Sequence, residues 1–303
     1  MADLSRRVAL AALAAAPLAR PGLLRAQSSS VPIRIGLLSD VAGPYRHVGG
    51  PGSRVTAEMA VADFGGSVLG RPLEVMQGDD QNKADVAGAL AREWIDNKGV
   101  DVLADGAASS AGLAIQQVAL EKKRLFLMST PTSTAFIGKQ CSPYGFQFAA
   151  DTYALAKGVG DVLSLGQDVC QGLVLTNSFY FDATPETRAW SERYIAKMNA
   201  PPNEYNAGMY AAVSHWLKAV KAAGTLDADA VAAQMRAIPL NDFYNKGVKI
   251  MDNGCVPHTM HLWQVKAPAQ SQHKWDLFEN LATVPSPEAF PPAGLFGCPL
   301  VKA

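Results

Sequence analysis

From Asp101 to Thr134 the chain reads DVLADGAASSAGLAIQQVALEKKRLFLMSTPTST, and its hydrophobic positions follow two different periods. Residues 100–103 and 125–128 are short, mostly apolar runs of strand length, each closed by a cluster of Gly, Ser, Thr or Pro. Between them Ala111, Ala114, Ile115, Val118 and Ala119 recur at helical spacing and place one apolar stripe on a helix. Strand, helix and strand together predict a βαβ unit with parallel strands and a right-handed crossover.

The same alternation continues on both sides. Residues 33–38 predict an apolar first strand, followed by a loop dense in Gly and Pro. Val55, Met59 and Ala62 mark the first helix, residues 73–76 the second strand, and Val86, Leu90 and Trp94 the next helix, with Asp80 or Asn82 as its cap. The strand–helix alternation over residues 31–134 predicts an α/β fold built on a doubly wound parallel sheet.

Further on, residues 143–148 read as a strand, 152–163 as a helix and 172–181 as a strand. Three helices follow, marked by Trp190, Tyr194 and Met198, by Tyr210, Val213, Leu217 and Val220, and by Val231 and Met235 with Asp227 as cap. Residues 248–265 predict two strands around a hairpin turn at Asn253-Gly254. Pro285, Pro287, Pro291, Pro292 and Pro299 predict a tail running extended over the surface.

The amino terminus stands apart from this pattern. Arg6 and Arg7, an apolar run over residues 8–18 and small residues ending at Ala26 have the layout of a secretory signal, with cleavage expected after Ala26. The run is too short to span a bilayer. Ser5-Arg6-Arg7 has a twin-arginine character, but Ala9 stands where an aromatic is usual, which favours the general secretory route. Export permits disulfides, and Cys141, Cys170, Cys255 and Cys298 allow three pairings. No CxxC spacing is present, so neither a zinc site nor a thioredoxin-like motif is supported. With 27 basic and 27 acidic residues the chain lacks the basic footprint of a nucleic-acid binder, and no nucleic-acid partner is expected.

Candidate chemistry gathers at the carboxyl ends of the predicted strands. Ser109 and Ser110 open the third helix, where unpaired N–H groups and the helix dipole favour a carboxylate. Thr132 and Ser133 follow the next strand and open onto the same end of the sheet, where parallel sheets bind ligands. These four hydroxyls point to a small polar or anionic solute. Helix capping and turn formation are equally ordinary uses of the same residues.

Two further readings concern the same region. Residues 108–112 approximate a GxSxG nucleophile elbow with Ser110 as nucleophile, His47-Val48-Gly49-Gly50 as an oxyanion loop, and Asp252 and His258 as acid and base. A serine hydrolase of this kind needs the predicted hairpin to bring His258 to Ser110. His258 and His261, three apart on a strand, face opposite sides, so no metal site is expected. The Gly-Pro run at residues 49–52 lacks the spacing of a phosphate loop and reads as the lead into a helix. No cofactor is expected.

Several colinear blocks resemble a known family: IGLLSDVAGPYRHVGGPGSRVTAEMAVADFGG, DDQNKADVAGALAREWID, GAASSAGLAIQQVALEKK, KQCSPYGFQF, DTYALAKG, QGLVLTNSFYFD, ETRAWSERY and GCPLVK. Together they are similar to periplasmic solute-binding proteins of ABC importers, of the branched-chain amino acid (leucine/isoleucine/valine) type. The resemblance implies a type I periplasmic-binding-protein-like fold of two α/β lobes joined by a hinge, with solute in the cleft. It also implies a periplasmic location and an ABC permease in the inner membrane as partner.

The family's ligand shell falls on Ser109, beside Ser110, for a carboxylate and on Ser133, beside Thr132, for an amino group. Its first-loop aromatic is similar to Tyr45. Its other cleft wall falls on residues 177–182, with Asn177 and Tyr180 as candidate contacts and Asn177 standing where many relatives carry an acid. Tyr180 and Phe181 serve equally as core or hinge packing. The resemblance further implies that Cys141 pairs with Cys298, leaving Cys170 and Cys255 as buried thiols or a second bridge.

One departure from the family lies at residues 163–166, where the helix of residues 152–163 joins the next block directly. Several βα units of the second lobe are absent there, on the order of a hundred residues at roughly 30 per unit. The resulting division is a signal peptide over 1–26, first lobe over 27–142, a remnant of the second lobe over 143–181, first lobe again over 182–240, and hairpin and carboxyl-terminal part of the second lobe over 241–303. A cleft missing much of one wall is expected to bind more weakly and to leave strand edges open. The readings are therefore a solute-binding component of an importer, binding an amino acid or similar small carboxylate, or a truncated relic that no longer binds.

Overall fold

Strand β1 (Ile33–Ser39) is buried along nearly its whole length because parallel partners flank it on both sides. The computed structural model describes residues 31–155, 167–286 and 288–302. Around β1 lies a six-stranded sheet that also contains β2 (Ser67–Val68), β3 (Arg71–Asp79), β4 (Val100–Asp105), β5 (Leu125–Met128) and β6 (Gly145–Gln147), in the order β2-β3-β1-β4-β5-β6. Only the short β2 runs antiparallel; the other pairings are parallel.

Helices cover both faces, as an all-parallel core of Ile, Val, Leu and Phe requires. On one face α2 (Ala84–Asn97) and α3 (Ser109–Glu121) bury Ala87, Ala91, Trp94, Ile115 and Val118 with Leu38, Leu103 and Phe126. On the other, α1 (Gly50–Phe64) lies beside a long helix, Glu204–Ala223, which buries Met209, Val213, Trp216, Leu217 and Val220 with Ile33, Ile35, Val102 and Phe146. The doubly wound α/β lobe is therefore present. Its crossover helices start where the apolar period changes from runs to i, i+3, i+4 spacing.

A second, smaller sheet holds β7 (Val174–Asn177), β10 (Met260–Val265) and β11 (Phe278–Val284), all antiparallel, in the order β11-β10-β7. Beneath it an aromatic cluster joins Tyr180, Phe181, Trp263 and Phe278 to Phe179, Trp190 and Tyr194. Trp190 and Tyr194 come from the helix Pro185–Met198, whose cap Thr184 accepts from the Thr187 N–H. Helix Ala228–Ala237 is capped by Asp227, whose Oδ1 accepts from the Ala230 N–H at 3.0 Å.

Several expectations are corrected. No hairpin forms about Asn253-Gly254. Residues 249–259 lie outside strands, and the antiparallel pair is β10 with β11, joined by residues 266–277. The short pair β8 (Leu240–Asn241) and β9 (Lys246–Val248) closes a separate turn. The Asn253 side chain instead donates to the Ile137 and Ala293 carbonyls, and residues 254–256 run beside β6 through an isolated bridge from Gln147 to Cys255. The local turn does form, the Gly254 N–H donating to the Met251 carbonyl and the Met251 N–H to the Cys255 carbonyl, but the strands expected to flank it do not.

Helix α2 starts from Lys83 without a side-chain cap; Asp80 accepts from the Asn82 N–H in the turn before it. The sheet of the larger lobe continues past residue 142, since β6 pairs with β5. The tail after Val284 runs in turns, buries Phe290 and Cys298, and is bonded through Cys298 to Cys141 with a Cα–Cα distance of 5.6 Å. Cys170 and Cys255 are buried free thiols.

The expected signal over 1–26 with its cleavage after Ala26, the expected helix beyond residue 155 and the junction at 163–166 lie outside the described residues. Among the described residues no helix is long and apolar enough to cross a membrane.

Candidate functional site

The loop after β1 is fixed by Asp40, whose carboxylate accepts from the Gly43 and Tyr45 N–H groups at 2.6 and 2.9 Å. It then bends onto the strand ends. A Cβ on Gly49 would stand 2.8 Å from Thr130 Cγ2 and 2.9 Å from Asp105 Oδ1, so only glycine allows this approach. Asp105, fully buried at the end of β4, accepts from the hydroxyls of Ser39, Thr130 and Ser129 at 2.5, 2.7 and 3.1 Å. Burial raises its pKa against the lowering effect of those hydroxyls.

A cavity of about 1010 Å³ opens beside this loop. One wall is the loop and start of α1, from Arg46 to Gly52; the facing wall comes from Leu175, Asn177, Phe179, Tyr180 and Phe181 of the smaller lobe. Trp275, Leu277 and Phe278 continue the apolar side, and residues 203–206 at the start of the long helix complete the enclosure. Walls of this kind, mostly aromatic with a few polar groups, are what a small organic solute requires.

The polar groups have distinct environments. Glu204 is 8% exposed, and its Oε2 accepts from Ser178 N at 3.0 Å and Ser178 Oγ at 2.8 Å; burial raises its pKa. Ser178 Oγ also lies 2.5 Å from the Tyr244 hydroxyl. The Tyr194 phenol is pushed up to about 12 by burial. Its hydroxyl lies over Gly52, where a Cβ would come within 2.5 Å. Asn203 donates from Nδ2 to the His47 and Val48 carbonyls, tying the long helix to the first loop. At the mouth, exposed Arg46 donates from Nε to His47 Nε2 at 2.9 Å.

The residues singled out in the sequence divide into two groups. Asn177 and Tyr180 line the cavity, although both are also used internally: Asn177 Oδ1 accepts from Trp263 Nε1 at 2.7 Å, and the Tyr180 hydroxyl donates to the Trp275 carbonyl at 2.8 Å. Tyr45 is 41% exposed on the same loop, next to Arg46, and does not line the cavity.

Ser109, Ser110, Thr132 and Ser133 lie outside its lining. Ser109 and Ser110 are the first residues of α3 with no side-chain cap bond, Ser110 being exposed. Ser133 caps a short 3-10 turn by accepting from the Ala135 N–H at 3.2 Å, and the Thr132 carbonyl accepts from the Thr152 N–H. The alternative use of such hydroxyls, turn and cap formation, is the one seen for Ser133.

Glu204 and Tyr194 were not picked out by sequence. Asn203-Glu204 has the form of any helix start, a capping side chain followed by a first-turn acid, and Tyr194 belongs to an apolar helical stripe. Nothing local marks either as facing a cavity.

The hydrolase constellation is not assembled. His258 is fully buried, with Nδ1 paired to the Asn245 carboxamide and Nε2 donating to the Phe148 carbonyl, each at 2.8 Å, so neither nitrogen is left for Ser110. His261 Nδ1 lies 3.0 Å from Thr283 Oγ1 on the smaller sheet. No cluster of potential metal ligands occurs among the described residues.

A doubly wound lobe and a smaller lobe with a cavity between them define a two-lobed α/β solute-binding protein. The chain belongs to the periplasmic binding protein family, whose family model matches residues 32–164 and 160–272. A periplasmic binding protein from Burkholderia mallei is similar at 30% identity and a TM-score of 0.86, with 89% of this chain and 99% of that one covered. A branched chain amino acid ABC transporter periplasmic ligand-binding protein from Burkholderia xenovorans has the same fold at 24% identity and a TM-score of 0.85, covering 88% of this chain and 99% of that one. A solute binding protein of an ABC transporter from Rhodopseudomonas palustris, in complex with 3,4-dihydroxy benzoic acid, shares the fold at 14% identity and a TM-score of 0.71, covering 84% and 97%. No curated protein matches this chain.

Proposed function

We propose that this protein is the exported solute-binding component of an ABC importer and holds an amino acid or similar small carboxylate in the cavity between its lobes. The observation that carries this reading is the cavity itself, about 1010 Å³, walled by the first loop on one side and by β7 and its following turn on the other. Family membership supports the transport role, and with it an inner-membrane permease as partner, a periplasmic location and removal of the segment before residue 27.

Related proteins of this fold are described as bound to 3,4-dihydroxy benzoic acid or benzoate, or as belonging to branched chain amino acid transporters, which supports a solute of this size. A reduced second lobe is part of the proposal. Among the described residues the smaller sheet has three strands, and the two stretches matched by the family model meet at residues 160–164.

The test is a thermal-shift screen over amino acids and aromatic acids, repeated with Met198→Trp, which narrows the cavity. A ligand present at 100 times its Kd stabilises the native state by about 2.7 kcal/mol and raises the melting temperature accordingly. Shifts that shrink in Met198→Trp support the cavity. Shifts unchanged there exclude it and return attention to Ser109 and Ser133, and a screen without any shift favours the relic.

The relic reading has one observation behind it. Strand β11 is an edge strand exposed along nearly its whole length, with Leu281 48% and Val284 39% exposed, an edge that an intact neighbouring element would cover.

A further inference from the structure

Glu204 is a buried carboxylate on the cavity lining that has no cation beside it. No ion pair includes it among the described residues, and both Ser178 donors are spent on its Oε2. It sits at the first position of the helix Glu204–Ala223, whose dipole favours the ionised form only partly against burial. A carboxylate held in low dielectric without a countercharge is costly, and a ligand that brings the countercharge removes that cost.

Around it the cavity offers aromatic faces from Phe179, Tyr180, Trp275 and Phe278, which suit an apolar body and also attract a cation. Arg46, on the first-loop wall of the same cavity, offers a carboxylate a positive partner. The Tyr194 hydroxyl, with no hydrogen-bond partner among the described residues, offers a further donor.

We infer that Glu204 receives the protonated amino group of the solute, so that the site selects amino acids with an aromatic or large apolar side chain over the corresponding carboxylates that lack the amine. The inference rests on the cavity reading above and adds a polarity to it, with the amine at Glu204 and the carboxylate at Arg46.

Titration calorimetry with L-phenylalanine, 3-phenylpropionate and N-acetyl-L-phenylalanine separates the two levels. The unmodified protein should bind phenylalanine at least about tenfold more tightly than either amine-free or amine-blocked analogue, the factor set by one hydrogen bond to a charged group. Glu204→Gln should lose that preference, and Met198→Trp, which narrows the cavity, should weaken binding of all three. Equal affinity for phenylalanine and 3-phenylpropionate, with Met198→Trp still weakening both, overturns the role of Glu204 while the cavity stands. Binding unchanged in Met198→Trp overturns both, and no binding by any of the three overturns the role of Glu204 and leaves the cavity reading to the wider screen. The two analogues act on the unmodified protein, so the preference is measured even if Glu204→Gln fails to fold.

Discussion

Ser178 and Glu204 join the two lobes through a doubly donated carboxylate: the Ser178 backbone N–H and hydroxyl both reach Glu204 Oε2, at 3.0 and 2.8 Å. Ser178 follows the last residue of β7 in the smaller sheet, and Glu204 opens the helix that packs on the larger one. Removing the hydroxyl leaves a buried carboxylate with one donor fewer. Ser178→Ala should therefore lower stability by about 1.5–3 kcal/mol, the range for hydrogen bonds to charged groups. Urea unfolding of parent and variant measures this, and an unchanged midpoint would show that the bond contributes nothing across the interface.

The Cys141–Cys298 bond closes a loop of 157 residues and anchors the tail beside the turn that leads into β6. By loop-closure entropy such a bond stabilises the fold by about 3–5 kcal/mol. Reduction with a strong thiol, or Cys298→Ser, should lower the melting temperature by several degrees. Cys170 and Cys255, both buried, should stay unreactive toward a thiol reagent until the chain unfolds. Rapid labelling of either in the native protein would contradict the packing described.

Acid should act through His258. Burial lowers its pKa from 6.5 to about 4, against the raising effect of its bond to the Phe148 carbonyl. The unfolded chain then binds the proton first, so stability falls as pH drops from about 6.5 toward 4 and the loss is complete below the folded pKa. The full loss amounts to about 3 kcal/mol at 1.36 kcal/mol per pKa unit. Asp80 works in the opposite sense: chiefly burial raises it to about 6, so the penalty for keeping it ionised fades as pH falls through 6 toward 3.8. Comparing His258→Asn with the parent cancels the Asp80 contribution. The stability difference between them should shift by about 3 kcal/mol in favour of the variant between pH 7 and 4. A pH-independent difference would place the His258 pKa near its ordinary value.

What the sequence disclosed follows from the range of the interactions involved. The larger lobe was legible because each of its strands and helices carries its own period: Ile35 and Leu37 with Val102 and Leu127 in apolar runs, Ile115 and Val118 on a stripe. Asp227 was legible as a cap because its partner, the Ala230 N–H, is three residues away. The turn at Asn253-Gly254 is local and legible, but the hairpin expected around it is not formed, because the partners of residues 253–256, among them Ile137, Gln147 and Ala293, are distant in sequence. The candidate site suffers from the same limit. Asn177 and Tyr180 reach the cavity, but Glu204 becomes distinctive only when folding brings Ser178 to it across 26 residues and Tyr244 to Ser178 across 66. Local hydroxyl clusters single out Ser109, which opens α3, and Ser133, which caps a 3-10 turn, and both lie outside the cavity lining.

Gly254 supplies a test of how that distant packing is built. Its φ is +85°, and a Cβ there would stand 2.3 Å from the Gly145 carbonyl oxygen, the backbone of β6. Its own carbonyl accepts from the Gln147 N–H at 2.9 Å, so the segment cannot move away without losing the bridge that extends the larger sheet. Gly65 has a similar left-handed conformation, φ +100°, but nothing within 4 Å of the position a Cβ would take. Alanine at Gly65 should therefore lower stability only by the left-handed backbone penalty, about 1–2 kcal/mol. Alanine at Gly254 adds a backbone collision on the scale of core overpacking, for a total of about 2–5 kcal/mol. Denaturant midpoints of the two variants give the difference directly. Equal losses would mean that residues 254–256 relax away from β6 at little cost, and that the edge of the sheet is held by the disulfide and the Asn253 side chain rather than by this close backbone contact.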